Sequence, residues 1–127
     1  MSETFDIAIV GAGIVGLAHA LAAARRGKRV VVIDRDAQAN GASIRNFGFI
    51  TVTGQEAGDC WGMARRAAAV WREVAEAARI PILQHGLVVA ARHDESEAVI
   101  DAFLKTGMGE DCRKIGVEDA RSLVPPL

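Results

Sequence analysis

The feature that most constrains this chain is GAGIVG at residues 11–16, because of what stands on either side of it. Before it, FDIAIV at residues 5–10 is a short apolar run rich in β-branched side chains, which reads as a buried strand. After it, Ile14, Leu17 and Leu21 recur at helical spacing among alanines until Gly27, so a helix is predicted from residue 14 to about residue 26. KRVVVID at residues 28–34 supplies a second strand, and a β-α-β unit results whose strands run parallel through a right-handed crossover. Within the turn, Gly11 permits a sharp exit from the strand, Gly13 close approach of backbone to a pyrophosphate, and Gly16 close packing of helix on strand. The helix start, with Ile14 and Val15 in its first turn, offers roughly half a positive charge and free N–H groups to an anion. Eighteen residues beyond Gly16 stands Asp34, where a carboxylate can accept hydrogen bonds from ribose hydroxyls. A glycine turn serving only close packing would explain Gly16 but not Asp34, so a dinucleotide site is predicted.

The rest of the chain bounds that reading. A length of 127 residues suits one domain, and a hydrophobic content of 50% excludes a disordered tail. Fifteen basic against 16 acidic side chains leave a net charge of -1, which disfavours nucleic acid and anionic lipid as partners. The N-terminal stretch MSETFDIAIV is acidic where a secretory signal is basic, and its apolar run is too short to span a membrane, so a soluble, cytoplasmic protein is expected. Cys60 and Cys112 form neither a disulfide framework nor a zinc motif, and His19, His85 and His93 have no catalytic neighbours in sequence. Trp61, Ala64, Ala67, Val70, Trp71, Val74 and Ala78 fall at steps of three and four, predicting a helix that Pro81 ends. GLVVAARH at residues 86–93 reads as a strand. A helix capped by Asp94 or Ser96 follows to about Lys105, and residues 116–123 suit a short helical turn before Pro125. A change of role is expected near Gly54, dividing a nucleotide-binding part (1–54) from the start of a second part (55–127).

Between the second strand and the tryptophan helix, glycines at 41, 48, 54 and 58 punctuate an irregular passage. It bears on the choice of nucleotide. Asp34 would repel the 2′-phosphate of NADP, although Arg35 beside it could attract one, so an unphosphorylated ribose is favoured and NAD or FAD remains. In a nicotinamide enzyme the unit normally continues into another helix and strand; here GASIRNFGFI follows instead.

Together, DIAIVGAGIVGLAHALAAARRGKRVVVIDRD and GASIRNFGFI resemble the N-terminal part of the FAD-dependent amine and amino-acid oxidoreductases, the group of D-amino-acid oxidase, glycine oxidase and sarcosine oxidase. The resemblance implies that a G-[AS]-S-x-[RK]-N-x-G segment wraps the flavin side of FAD. This chain supplies it as Gly41, Ala42, Ser43, Arg45, Asn46 and Gly48, with Phe47 and Phe49 interleaved. Under that resemblance Ser43 and neighbouring N–H groups bind pyrophosphate oxygens, and Gly48 lets backbone approach the isoalloxazine ring. Phe49 and Ile50 exclude water, and Arg45 favours negative charge on reduced flavin. The fold class implied is α/β, a Rossmann-like βαβ FAD-binding unit with the beginning of an α+β substrate domain. Because the family's chains are much longer, an N-terminal fragment is expected, with the catalytic residues outside it. The implied reaction is hydride transfer from the α-carbon of a small amine or amino acid to the flavin, followed by hydrolysis of the imine. GASIRNFGFI also resembles a branch linked to phosphonate breakdown, which adds an aminophosphonate to the candidate substrates. An NAD-dependent dehydrogenase and a non-catalytic nucleotide-binding fragment stand as alternatives.

Overall fold

The two apolar runs become β1 (Ile7–Val10) and β2 (Val30–Ile33) in a computed structural model that describes residues 3–124. They pair in parallel, Ile7 opposite Val30 and Val10 opposite Ile33. Parallel pairing requires a long crossover, and α1 (Ile14–Ala24) provides it. The ladder is shorter than the apolar runs because polar groups take over at its ends. The Arg29 N–H donates to the Asp6 carboxylate at 2.7 Å, and beyond Val10 the Gly11 N–H donates to the Ile33 carbonyl at 2.7 Å. This is a mixed α/β, Rossmann-like fold.

Helix α1 ends two residues before the periodicity does. Gly27 adopts φ +71°, a left-handed conformation natural to glycine, and the Lys28 N–H turns back to the Ala23 carbonyl at 3.2 Å. The elements that pack most extensively on one another are β1, α1 and β2, and Ala23 of α1 is buried there. The chain divides into two compact units, Met1–Phe49 and Ile50–Leu127.

In the second unit α2 (Asp59–Ala78) has a seam of half-buried Trp61, Ala64, Ala68 and Trp71 leading to buried Ala75. Val70 and Val74 are half-buried beside that seam, whereas Ala67 and Ala78, which share the spacing that predicts the helix, are exposed. The helix stops before Pro81 is reached: Arg79 takes the left-handed conformation at φ 54°, and the Ile80 N–H donates to the Ala75 carbonyl at 2.8 Å.

Residues 86–93 do not form the predicted strand. Alternating apolar residues make a strand only when another strand accepts their peptide groups, and none among the described residues does so. Helix α3 (Asp94–Phe103) begins as expected, but neither Asp94 nor Ser96 caps it; His93 holds the capping position without a side-chain bond. Asp94, Glu95 and Glu97 in the first turn instead complement the positive end of the helix dipole. A 3₁₀ turn, Gly107–Gly109, follows, in which a side chain at Gly109 would run into the Phe103 carbonyl and the Leu104 backbone. Then comes α4 (Val117–Leu123), as the sequence predicts; Pro125 lies outside the described residues. Lys114 joins Glu97 and Asp101 of α3 in an exposed ion cluster. Among the described residues no helix is long and apolar enough to cross a membrane.

Candidate dinucleotide-binding site

Three segments of the N-terminal unit converge on the first turn of α1. The turn itself is shaped by glycines where no other residue fits. Gly11 sits at φ +103°, and a Cβ on Gly16 would collide with the Gly11 carbonyl oxygen and crowd the Ile9 side chain. The close passage of helix over strand end therefore depends on the third glycine.

Just beyond β2, Asp34 reaches back 22 residues, and its Oδ2 accepts the Ala12 N–H at 2.6 Å. Its other oxygen accepts the Asp36 N–H at 2.9 Å. The Ala12 bond first, then the Asp36 bond, with a smaller contribution from the Arg35 charge, hold the Asp34 carboxyl below its ordinary value of 3.8. An exposed, ionised carboxylate thus stands beside the turn with lone pairs to spare. Arg35 leans on Asp36 at 3.4 Å and is otherwise exposed.

From the glycine-rich passage, Ser43 reaches 29 residues back, its hydroxyl oxygen accepting the Ile14 N–H at 2.9 Å. Leu17 closes the first helical bond to the Gly13 carbonyl at 2.9 Å. The N–H groups of Gly13, Val15 and Gly16 have no acceptor among the described residues. Such an array at the positive end of a helix suits an anion, and the adjacent carboxylate suits hydroxyl donors.

The other residues of the passage are arranged differently. Asn46 is spent on its own loop: its amide donates to the Ser43 carbonyl at 2.9 Å and the Ala42 carbonyl at 3.3 Å, and its oxygen accepts the Gly48 N–H at 2.8 Å. Gly48 lies at φ +70° to close that turn. Phe47 and Phe49 stack with ring centroids 5.8 Å apart, 88% and 79% exposed, and the Arg45 guanidinium has no partner among the described residues. Beside the turn an apolar groove runs along β1, walled by Ile7, Ile9, Val10 and Val15 and edged by His19.

The sequence reading names Asp34 and Ser43 but not their contacts with the turn. It misses Ala12 and Asp36 altogether, because both act through backbone N–H groups that any residue carries. Only the acid's place at the strand end hinted at them.

Comparison with known proteins extends the picture beyond the turn. Two curated relatives, the 3-oxosteroid 1-dehydrogenases of two Mycobacterium tuberculosis strains, are each 32% identical over 105 residues, 83% of this chain and 16% of theirs. The chain therefore spans a small part of the length of these relatives. No solved structure matches. Residues 6–127 match the family described as FAD dependent oxidoreductase. FAD is that family's cofactor, which decides between FAD and NAD. From the residue preceding β1 through the glycine turn, Asp34 and the passage that follows, the chain belongs to the FAD-dependent oxidoreductase family.

Proposed function

We propose that this chain is the dinucleotide-binding part of an oxidoreductase that oxidises a small amine or amino acid. The observation that carries the proposal is the convergence of Asp34 and Ser43 on the Ala12 and Ile14 N–H groups of one glycine turn. The donors and acceptors present fit FAD. In this reading the N–H groups of Gly13, Val15 and Gly16 hold the diphosphate, and Asp34, kept ionised by its backbone bonds, accepts the ribose hydroxyls. Arg35, engaged with Asp36, leaves the unphosphorylated ribose favoured.

Ala42, Arg45, Phe47, Gly48 and Phe49 lie along the flavin side, the two rings excluding water and Arg45 supplying positive charge. Asn46 shapes that loop rather than touching the cofactor. When bound, FAD accepts a hydride equivalent from the substrate's α-carbon. The work of this chain is to orient the cofactor; cofactor binding belongs to residues 1–54 and the start of a substrate part to 55–127. The near-balanced charge supports a small-molecule partner over nucleic acid or an anionic membrane surface, and a cytoplasmic location is part of the proposal.

Titration of the chain with FAD tests the first step: saturable binding near one flavin per chain is expected, and absence of binding overturns it. For substrate, likeness in GASIRNFGFI supports the amine, while the 32% identity to a 3-oxosteroid 1-dehydrogenase supports a steroid as a second reading. Anaerobic mixing of the enzyme containing this chain with amino acids, aminophosphonates or 3-oxosteroids separates them. The class that bleaches the oxidised flavin band is the substrate, and bleaching by steroid alone would sink the amine.

A further inference from the structure

We infer that Ser43 is a positioning residue that caps α1 from outside the helix and that Asn46 holds it there, so the loop after β2 sets the shape of the glycine turn. The inference rests on the proposed reading of that turn as the diphosphate seat of FAD.

Gly13 occupies the N-cap position of α1, with φ −69° and ψ 173°, and has no side chain with which to cap. A helix normally satisfies its first N–H groups with a Ser, Thr, Asp or Asn at this position. Here the Ser43 hydroxyl does so across space, accepting the Ile14 N–H at 2.9 Å. A second observation agrees with the first: a Cβ on Gly13 would stand 3.2 Å from the Ser43 oxygen, so glycine at 13 leaves the room that the hydroxyl fills.

The hydroxyl is in turn held by its loop. Bonds from the Ile44 N–H to the Gly41 carbonyl (3.3 Å) and from the Arg45 N–H to the Ala42 carbonyl (3.2 Å) form overlapping turns. Asn46 ties them through the Ala42 and Ser43 carbonyls while gripping the Gly48 N–H. Ser43 takes the Ile14 N–H for itself, which leaves Gly13, Val15 and Gly16 as the donors. A loop on the flavin side thereby governs affinity for the adenosine diphosphate half, which it need not touch.

ADP, which lacks the flavin, is the discriminating probe. Ile14 amide exchange without nucleotide and ADP affinity are to be measured by NMR in the full chain, for the wild type and for Ser43→Ala, Ser43→Thr and Asn46→Ala. Ser43→Ala should accelerate Ile14 exchange about fivefold and weaken ADP binding by about the same factor, the usual size of a lost cap. Ser43→Thr, which keeps a hydroxyl, should restore both. Asn46→Ala should reproduce both losses with the serine intact, and it carries the test alone if Ser43→Ala does not fold. Unchanged Ile14 exchange in Ser43→Ala, or unchanged exchange and ADP affinity in Asn46→Ala, overturns the inference. A wild-type chain that binds neither ADP nor FAD overturns the proposed function instead, and the exchange rates still judge the cap.

Discussion

Within each of the two units, taken by itself, a different kind of side-chain link stands out. In the N-terminal unit short polar side chains grip backbone N–H groups across long stretches of sequence: Asp6 on Arg29, Asp34 on Ala12, Ser43 on Ile14. In the second unit, side-chain links that span more than a turn include exposed ion pairs, Lys114 with Glu97 and Asp101, and Arg65 with Asp111. A side chain bonded to a backbone N–H fixes the course of the chain, whereas an exposed ion pair between flexible side chains is screened by solvent and fixes little. The difference teaches where chemistry belongs. A preorganised array of donors exists only where the backbone is held, and that is the glycine turn.

The largest effect expected from testing this contrast comes at Gly16. Replacement by Ala gains about 1 kcal/mol of helix propensity. The new methyl group collides with the Gly11 carbonyl, a rigid backbone atom, so overpacking of about 3 kcal/mol wins. FAD binding should disappear while the far-ultraviolet helix signal of α2 persists; retained binding would break the contrast.

Next in size is Trp71→Ala, which removes a half-buried ring from the α2 seam and should cost about 2 kcal/mol in chemical denaturation. Flavin affinity should not move, and a parallel loss of affinity would show that the second unit also shapes the site. Asp34→Ala should weaken FAD binding roughly tenfold, the worth of charged hydrogen bonds to ribose and to Ala12. Unchanged affinity in a fluorescence titration would place the adenosine elsewhere.

The smallest effects lie in pH dependence, and their signs differ between the units. Asp34 is lowered, so its contribution is present above 3.8 and fades as pH falls through the lowered value. Lys114 is raised by its bonds to Glu97 and then Asp101, so its contribution is complete below 10.5 and fades as pH climbs through the raised value. Denaturation midpoints of wild type and Lys114→Met should converge at alkaline pH, and a constant gap would mean that the ion cluster does nothing.

Much of this architecture could be read from residue order. The β-α-β unit, the helix begun by Asp59, and the helices after His93 and Gly116 all follow from apolar spacing and turn signals, the helices being satisfied by near neighbours in the chain and the two strands by each other across α1. The same reasoning failed for residues 86–93, since a strand is completed by a partner and not by its own pattern. Within the site, Asp34 and Ser43 were legible as residue types in a spacing. Their contacts with Ala12 and Ile14 were not, because an N–H donor leaves no mark on the identity of the residue that carries it.

What residue order determined by itself is therefore local: two apolar runs, a glycine turn between the first of them and a helix, an acid at the end of the second, and the family to which that order belongs. Folding in three dimensions decided which group satisfies which. It set the Ser43 hydroxyl on the Ile14 N–H of a helix that begins after glycine, and it bonded Asn46 to the backbone of its own loop. The physical reason is that a hydrogen bond is won by the nearest well-aligned partner in space, and for residues 22 and 29 positions apart only the fold sets that nearness.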